Sequence, residues 1–185
     1  MIAPESCPKH VVIVGDFADV NGGQAKVAIQ SARLLAGAGH RVTFFAACGP
    51  VSPLLDVDSI SVVCLDQKTI LDDPNRLRAM RSGIWNGIAA RALAQTLADC
   101  DPAQTIVHVH GYAKALSPSI GPVVARSGCP VVFTMHEYFL ACPNGGFFNY
   151  QKQEICRLKP LGGACLSTQC DVRSGAHKAW RTLRG

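Results

Sequence analysis

Three histidines, a pair of adjacent glycines and four late cysteines are the residues here whose types and spacing could do chemistry. His136 follows the apolar run Val131-Val132-Phe133-Thr134, while His108 and His110 close another such run, Thr105 to His110. A histidine at the carboxyl end of a strand can donate to an anionic or hydroxyl-bearing ligand, or act as a base near neutral pH. Asn21-Gly22-Gly23 separates an apolar run from a helical pattern. Glycines there let a phosphate approach the backbone, and a helix amino terminus offers unpaired N–H groups with partial positive charge. Cys142, Cys156, Cys165 and Cys170 have 13, 8 and 4 residues between them. Four thiolates suit zinc or an iron–sulfur cluster.

Each of these features has a plain structural reading beside it. Gly22-Gly23 fits neither a G-x-G-x-x-G fingerprint nor a Walker loop, so it also reads as a tight turn. Side chains alternate along a strand, so His108 reads as a satisfied core histidine. His110, followed by Gly111-Tyr112, stands between the two readings, and His136 is the one read as functional. The cysteines contain no C-x2-C pair, and buried thiols describe them equally well.

The elements that must position these residues alternate in type. Apolar, β-branched runs predict strands near 10–15, 41–46, 60–65, 105–110 and 130–135, the last a buried one. A helical pattern runs from Gln24 to a stop at Gly37 and Gly39. A second, with Asp73-Pro74 as cap and first position, runs to about Ala98, weakened by Gly83 and Gly87. A short helix capped by Ser117-Pro118 leads to the fifth strand. This alternation predicts an α/β fold, a Rossmann-like doubly wound parallel sheet, with the first and fourth strands adjacent at its centre. Ligands of such sheets bind at the carboxyl ends of the strands, where Gly23, His110 and His136 are expected to converge. Residues 143–171 read as a long loop that a metal would have to order. Val172 to Arg184 reads as a basic helix with Lys178, Arg181 and Arg184 on one face.

Composition bounds the rest. Hydrophobic residues make up 48% and charged residues 17% of 185, which is globular and not disordered. No run of 18 apolar residues offers a membrane span, and Pro4, Glu5, Pro8 and Lys9 interrupt any secretory signal. The nine cysteines, Cys7 among them, therefore read as reduced and the chain as cytoplasmic. Residues 1–150 carry 11 Lys/Arg against 11 Asp/Glu, so the net charge of +5 lies wholly in the tail. A solvated helix, or a surface for a partner domain or anionic lipid at the inner face of the membrane, would account for it; nucleic acid is not expected as a partner. A dinucleotide-dependent oxidoreductase would need fingerprint glycines and an acid after the second strand, where Phe44-Phe45-Ala46 stands instead.

Three strings, in order, carry a resemblance: NGGQAKVAIQSARLLAGAGHRVTFF, TIVHVHGYAKAL and VVFTMHEYFLACPNGG. Together they resemble the retaining, nucleotide-sugar-dependent glycosyltransferases of GT-B fold, family-4 type, over about residues 10–184. The resemblance implies the amino-terminal, acceptor-side half of a two-domain hexosyl-transferring enzyme of glycan biosynthesis. Residues 1–141 would be the Rossmann-like domain, and 142–185 its Cys-rich loop and basic helix. It implies that Gly22 and Gly23 approach the diphosphate of a nucleotide-diphospho-sugar donor and that His136 is the catalytic-side histidine. His110, Gly111, Tyr112, Glu137 and Tyr138 would contact substrate, the acceptor being a glycan or lipid-linked. Nothing in the sequence matches the nucleotide-holding carboxyl-terminal domain. The chain is expected to be a fragment or half of a split enzyme, inactive without that domain or a partner chain. A second expectation is a metal-binding module in which Cys142, Cys156, Cys165 and Cys170 hold zinc on a Rossmann-like scaffold.

Overall fold

The computed structural model describes residues 9–184; Cys7 and, of the residues read against a secretory signal, Pro4, Glu5 and Pro8 lie outside them. The chain divides into two compact units, Met1–Thr134 and Met135–Gly185.

The first unit is built on a five-stranded sheet in the order β3-β2-β1-β4-β5, with every neighbouring pair parallel. The strands are β1 (His10–Phe17), β2 (Arg41–Cys48), β3 (Ile60–Cys64), β4 (Thr105–Val109) and β5 (Val131–Phe133). The helices are α1 (Gly23–Gly37), α2 (Arg76–Ile84), α3 (Gly87–Ala98) and α4 (Ile120–Arg126). Strand alternation divides the core between the two faces of the sheet. Val11, Ile13, Val42 and Phe44 pack with Ala28, Ile29 and Ala32 of α1. Val12, Val14, Phe45, Val107 and Val109 pack with Leu93 and Leu97 of α3 and with Ile120 of α4. A parallel sheet needs cover on both faces, which is why its strands read as unbroken apolar runs. Each fully buried Phe, Ile or Leu contributes about 1.5–3 kcal/mol. The doubly wound sheet is the one the sequence predicts, with β1 and β4 hydrogen-bonded at its centre.

The structure corrects three local expectations. The long second helix is two helices, divided at Trp85-Asn86. Asn75, not Asp73, caps α2 by accepting from Arg78 N at 3.0 Å, and Asn86 caps α3 by accepting from Ala89 N at 3.1 Å. Asp73 instead takes both Nε and Nη2 of Arg78 at 2.7 Å. The fifth strand is not buried: it is the sheet edge, and Val131 and Val132 are 44% and 47% exposed. Centre and edge strands can have the same composition, so only the pairing order separates them.

The third correction concerns the second unit. Residues 143–171 are not an unstructured loop. They hold a two-stranded antiparallel ribbon, β6 (Phe148–Asn149) with β7 (Glu154–Ile155), and a short helix, α5 (Gly163–Ser167). The last helix is α6 (Gly175–Arg184), and its cations do not form a free stripe. Lys178 is 3% exposed, with its ammonium donating to the carbonyls of Cys165 and Thr168. Arg181 Nε lies 3.5 Å from Asp171 Oδ2, and Arg184 is 8% exposed, its guanidinium over the Phe139 and Trp180 rings. These three cations are part of this unit's internal framework, while Lys152, Arg157, Lys159 and Arg173 are exposed. No helix among the described residues is long and apolar enough to cross a membrane.

Candidate functional site

The order of strands reverses between β2-β1 and β1-β4 at the carboxyl edge of the sheet. Ligands of α/β sheets bind at such switch points. On one side of this one stands the amino terminus of α1. Gly22 has φ 121°, a left-handed-side conformation that favours glycine, and its carbonyl starts the helix by accepting from Lys26 N at 3.1 Å. Gly22 and Gly23 are exposed, and a Cβ on either would meet nothing within 4 Å. No side chain caps α1 and no acid lies in its first turn. The partial positive charge of this end is therefore uncompensated by its own helix.

The other side is the loop 110–116. His110 N donates to Val14 O at 2.8 Å, which carries β4's pairing with β1 one residue further. The His110 side chain is buried (2% exposed), with its ring centroid 4.1 Å from that of His108. His108 Nε2 lies 2.7 Å from Thr134 Oγ1, so this half-buried histidine is satisfied by a hydroxyl, as the structural reading had it. Tyr112 is buried edge-on to Phe133, with centroids 6.2 Å apart.

Two residues that sequence reasoning passed over hold this edge together. The buried carboxylate of Asp16, at the end of β1, accepts from the backbone N–H of Lys114, Ala115 and Leu116 at 3.0, 2.8 and 3.0 Å. Gln24, in the first turn of α1, donates through Nε2 to His110 O at 2.9 Å. Asp16 carried a signal, being the first charge after an apolar strand; Gln24 carried none. Together they bring Gly22, Gly23, His110, Gly111 and Tyr112 to one edge of the sheet.

Gly111 leaves room for the Gln24 contact. A Cβ placed on it would lie 1.3 Å from Gln24 Nε2. Gly111→Ala is expected to drive the flexible Gln24 side chain off the His110 carbonyl and destabilise the protein by about 0.5–1.5 kcal/mol, the net contribution of that hydrogen bond. Much of that loss should vanish in the Gln24→Ala background, a coupling that a double-mutant cycle in denaturant reads directly. Additive effects of the two substitutions would show that the contact is not made.

His136, Glu137 and Tyr138 belong to the second unit. His136 and Tyr138 are exposed, Glu137 half-buried. Tyr138 begins a compact turn: its N–H donates to Gly145 O at 3.0 Å and its carbonyl accepts from Cys142 N at 2.8 Å. Its ring meets Phe147 edge-on at 5.2 Å. Gly145, at φ 72°, lets Phe139 pack where a Cβ would stand only 2.9 Å from the ring.

The four late cysteines do not gather into a metal centre in this structure. Cys142, Cys165 and Cys170 are buried and Cys156 half-buried, all as free thiols. Among the described residues no group of three or more His, Cys, Asp or Glu side chains is placed to hold an ion. Asn144 Nδ2 donates to Cys170 Sγ at 3.1 Å and to Cys170 O at 2.9 Å. Beside this segment a hydrogen-bond cluster forms around Asp171, which is fully buried. Asp171 accepts from Arg173 N at 2.8 Å and from His177 Nδ1 at 3.0 Å.

Comparison with known proteins agrees with this architecture. Residues 22–164 match the glycosyl transferase 4-like domain, a stretch that begins at Gly22 itself and takes in most of the chain. No curated protein matches the chain in sequence. Among solved structures, TcCGT1 in complex with UDP is similar at a TM-score of 0.50 and 15% identity, over 97% of this chain and 42% of that one. LpCGTa in complex with UDP aligns at a TM-score of 0.47 and 19% identity, over 95% of this chain and 43% of that one. The chain thus spans less than half the length of either.

Proposed function

Because the chain belongs to the glycosyl transferase 4-like domain family, we propose that it is the amino-terminal, acceptor-side half of a GT-B glycosyltransferase that moves a hexosyl group from a nucleotide-diphospho-sugar to a glycan or lipid-linked acceptor. The family match over residues 22–164 carries the reading. The open, uncapped α1 terminus behind Gly22 and Gly23 supports placing the donor diphosphate there, since nothing in the first unit fills the space a Cβ would occupy. The fold relative TcCGT1 was solved with UDP, which suits a uridine nucleotide as donor. His136 is exposed, as a residue serving donor sugar or acceptor must be. Its imidazole would hydrogen-bond a sugar hydroxyl, with Glu137 and Tyr138 as neighbouring contacts; in the first unit His110, Gly111 and Tyr112 are buried and would shape the sheet edge rather than touch substrate.

Transfer with retention requires stabilisation of the departing diphosphate, chiefly by preorganised positive groups. In this reading α1 supplies one such pole and a carboxyl-terminal donor domain, or a split partner chain, supplies the rest. In this reading the Rossmann-like body, which as a compact unit runs to Thr134, and the Cys-rich, basic residues from Met135 are inactive without that second half. A reducing, cytoplasmic setting is part of the same reading.

The test uses a form holding both halves. Nucleotide release from nucleotide-diphospho-hexoses, measured with and without glycan and lipid-linked acceptors, should depend on His136. His136→Ala is expected to lower kcat about 100-fold or more while the protein stays folded, within the range of acid–base and positioning groups. Unchanged turnover would remove His136 from the site. Absence of transfer from every nucleotide-sugar offered to the two-domain form would sink the reading as a whole.

A further inference from the structure

The second helix of the first unit packs the wrong way round for an ordinary surface helix. An amphipathic helix normally turns its large apolar residues inward. In α2 the buried residues are the small ones, Ala79 and Gly83. Leu77, 75% exposed, and Met80, 49% exposed, project from the opposite face, where helical spacing also places Arg81 and Ile84. The same surface continues past the break into Trp85 at 57% and Ile88 at 60%, and begins before it with Leu71 at 65%. Scattered exposed apolar side chains mean little, but this many large ones in 18 consecutive residues form a patch.

Its charge is one-sided. Between Pro74 and Ala98 stand Arg76, Arg78, Arg81 and Arg91 and no acid at all, within a stretch, residues 1–150, that is neutral as a whole. The two acids just before it are engaged: Asp73 with Arg78, and Asp72 as acceptor from Thr69 Oγ1 at 2.6 Å. Leucine, methionine and tryptophan interleaved with arginines suit an interface whose interior is apolar and whose surface is anionic. A tryptophan ring is favoured at such a boundary, and arginine stems cover apolar surface while their heads stay among charges.

We propose that residues 71–91 of the first unit form a docking surface for an anionic phospholipid membrane, with Leu77, Met80, Trp85 and Ile88 entering the headgroup boundary and Arg76, Arg81 and Arg91 pairing with lipid phosphates. A protein partner with an acidic rim, or a second copy of this chain, would use the same patch differently and is separated by the test. The proposal stands apart from the transferase reading, because vesicle binding is measured with no donor or acceptor present.

The experiment is co-sedimentation of the full chain with vesicles of phosphatidylcholine alone and of phosphatidylcholine with phosphatidylglycerol, at low and high salt. Tryptophan emission is followed in the Trp180→Phe variant, which leaves Trp85 as the sole reporter. Binding should be about tenfold or more tighter to the anionic vesicles, fall with salt, and move Trp85 emission to the blue. Leu77→Asp and Arg81→Glu, both at exposed positions, should each weaken it about tenfold or more without changing the melting temperature. Failure to bind, equal binding to both vesicle types, or variants that bind like the parent would overturn the proposal. So would self-association that Leu77→Asp abolishes in a chain indifferent to vesicles.

Discussion

Asp16→Ala is expected to cost about 3–5 kcal/mol of stability and, with it, the defined shape of the loop after β4. One carboxylate there satisfies three consecutive backbone N–H groups, of Lys114, Ala115 and Leu116. Each hydrogen bond to a charged acceptor contributes about 1.5–3 kcal/mol, and a donor left buried without a partner costs about 1–3 kcal/mol. Ala115 and Leu116 are buried, so water cannot easily replace the lost acceptor for their N–H groups. Asp16→Asn keeps one acceptor oxygen but places an amide donor against a cluster of donors, so it should recover only part of the loss. Chemical denaturation gives the magnitude. Hydrogen exchange gives the location: the amides of 114–116 should lose protection more than those of β2 and β3. If the three amides exchange as slowly in Asp16→Ala as in the parent, the carboxylate is not what holds the loop. In a form containing both halves, the same substitution should also depress transfer, because His110, Gly111 and Tyr112 ride on the loop that Asp16 fixes.

That contact shows where the sequence stops being legible. The strands were readable as apolar runs, and parallel pairing followed from the helical patterns between them, except between β2 and β3, where no helical pattern stands. The α1 boundary was readable from Gly22-Gly23. But Asp16 and Leu116 are 100 residues apart, and nothing local to either announces the other. Helix breaks were half visible: Gly83 and Gly87 flagged a weakness, while the cap itself, Asn86, takes its place from Gln67, Ala115 and Ser117, all distant in sequence. Burial misled at both ends of the argument. Val131 and Val132 have core composition yet lie on an edge strand, and Lys178 has surface composition yet is buried on two carbonyls. A spacing of three marks a helix face without saying whether that face looks at water. The apolar outer face of α2 was hidden for the same reason, since Leu77, Met80 and Ile84 have the periodicity of an ordinary inward face.

In the second unit the largest expected effect is at Asp171. Its carboxylate is fully buried and meets His177 Nδ1 at 3.0 Å, Arg181 Nε at 3.5 Å and the Arg173 amide at 2.8 Å. Burial alone would push this carboxyl up, but the Arg173 N–H, His177 and the charge of Arg181 together hold it below its ordinary value of 3.8. A carboxyl lowered on folding stabilises the folded state at every pH above the unfolded value, and that contribution disappears as pH falls through the lower folded value. The second unit should therefore keep this stabilisation at pH 7 and pH 5 and lose it only below about pH 4. Asp171→Ala should remove it at all pH values. Breaking a buried ion pair costs about 3–5 kcal/mol; because the His177 and Arg181 side chains retain 23% and 24% exposure, the lower end, about 3 kcal/mol, is expected. Exchange of the α6 amides at pH 7 reads this directly, with β1 and β4 amides as the internal control. Faster exchange confined to the second unit, matched by the parent only under acid, is the expected pattern. Equal protection of α6 in parent and variant at pH 7 would mean that the ribbon, α5 and Lys178, not this carboxylate, order the end of the chain.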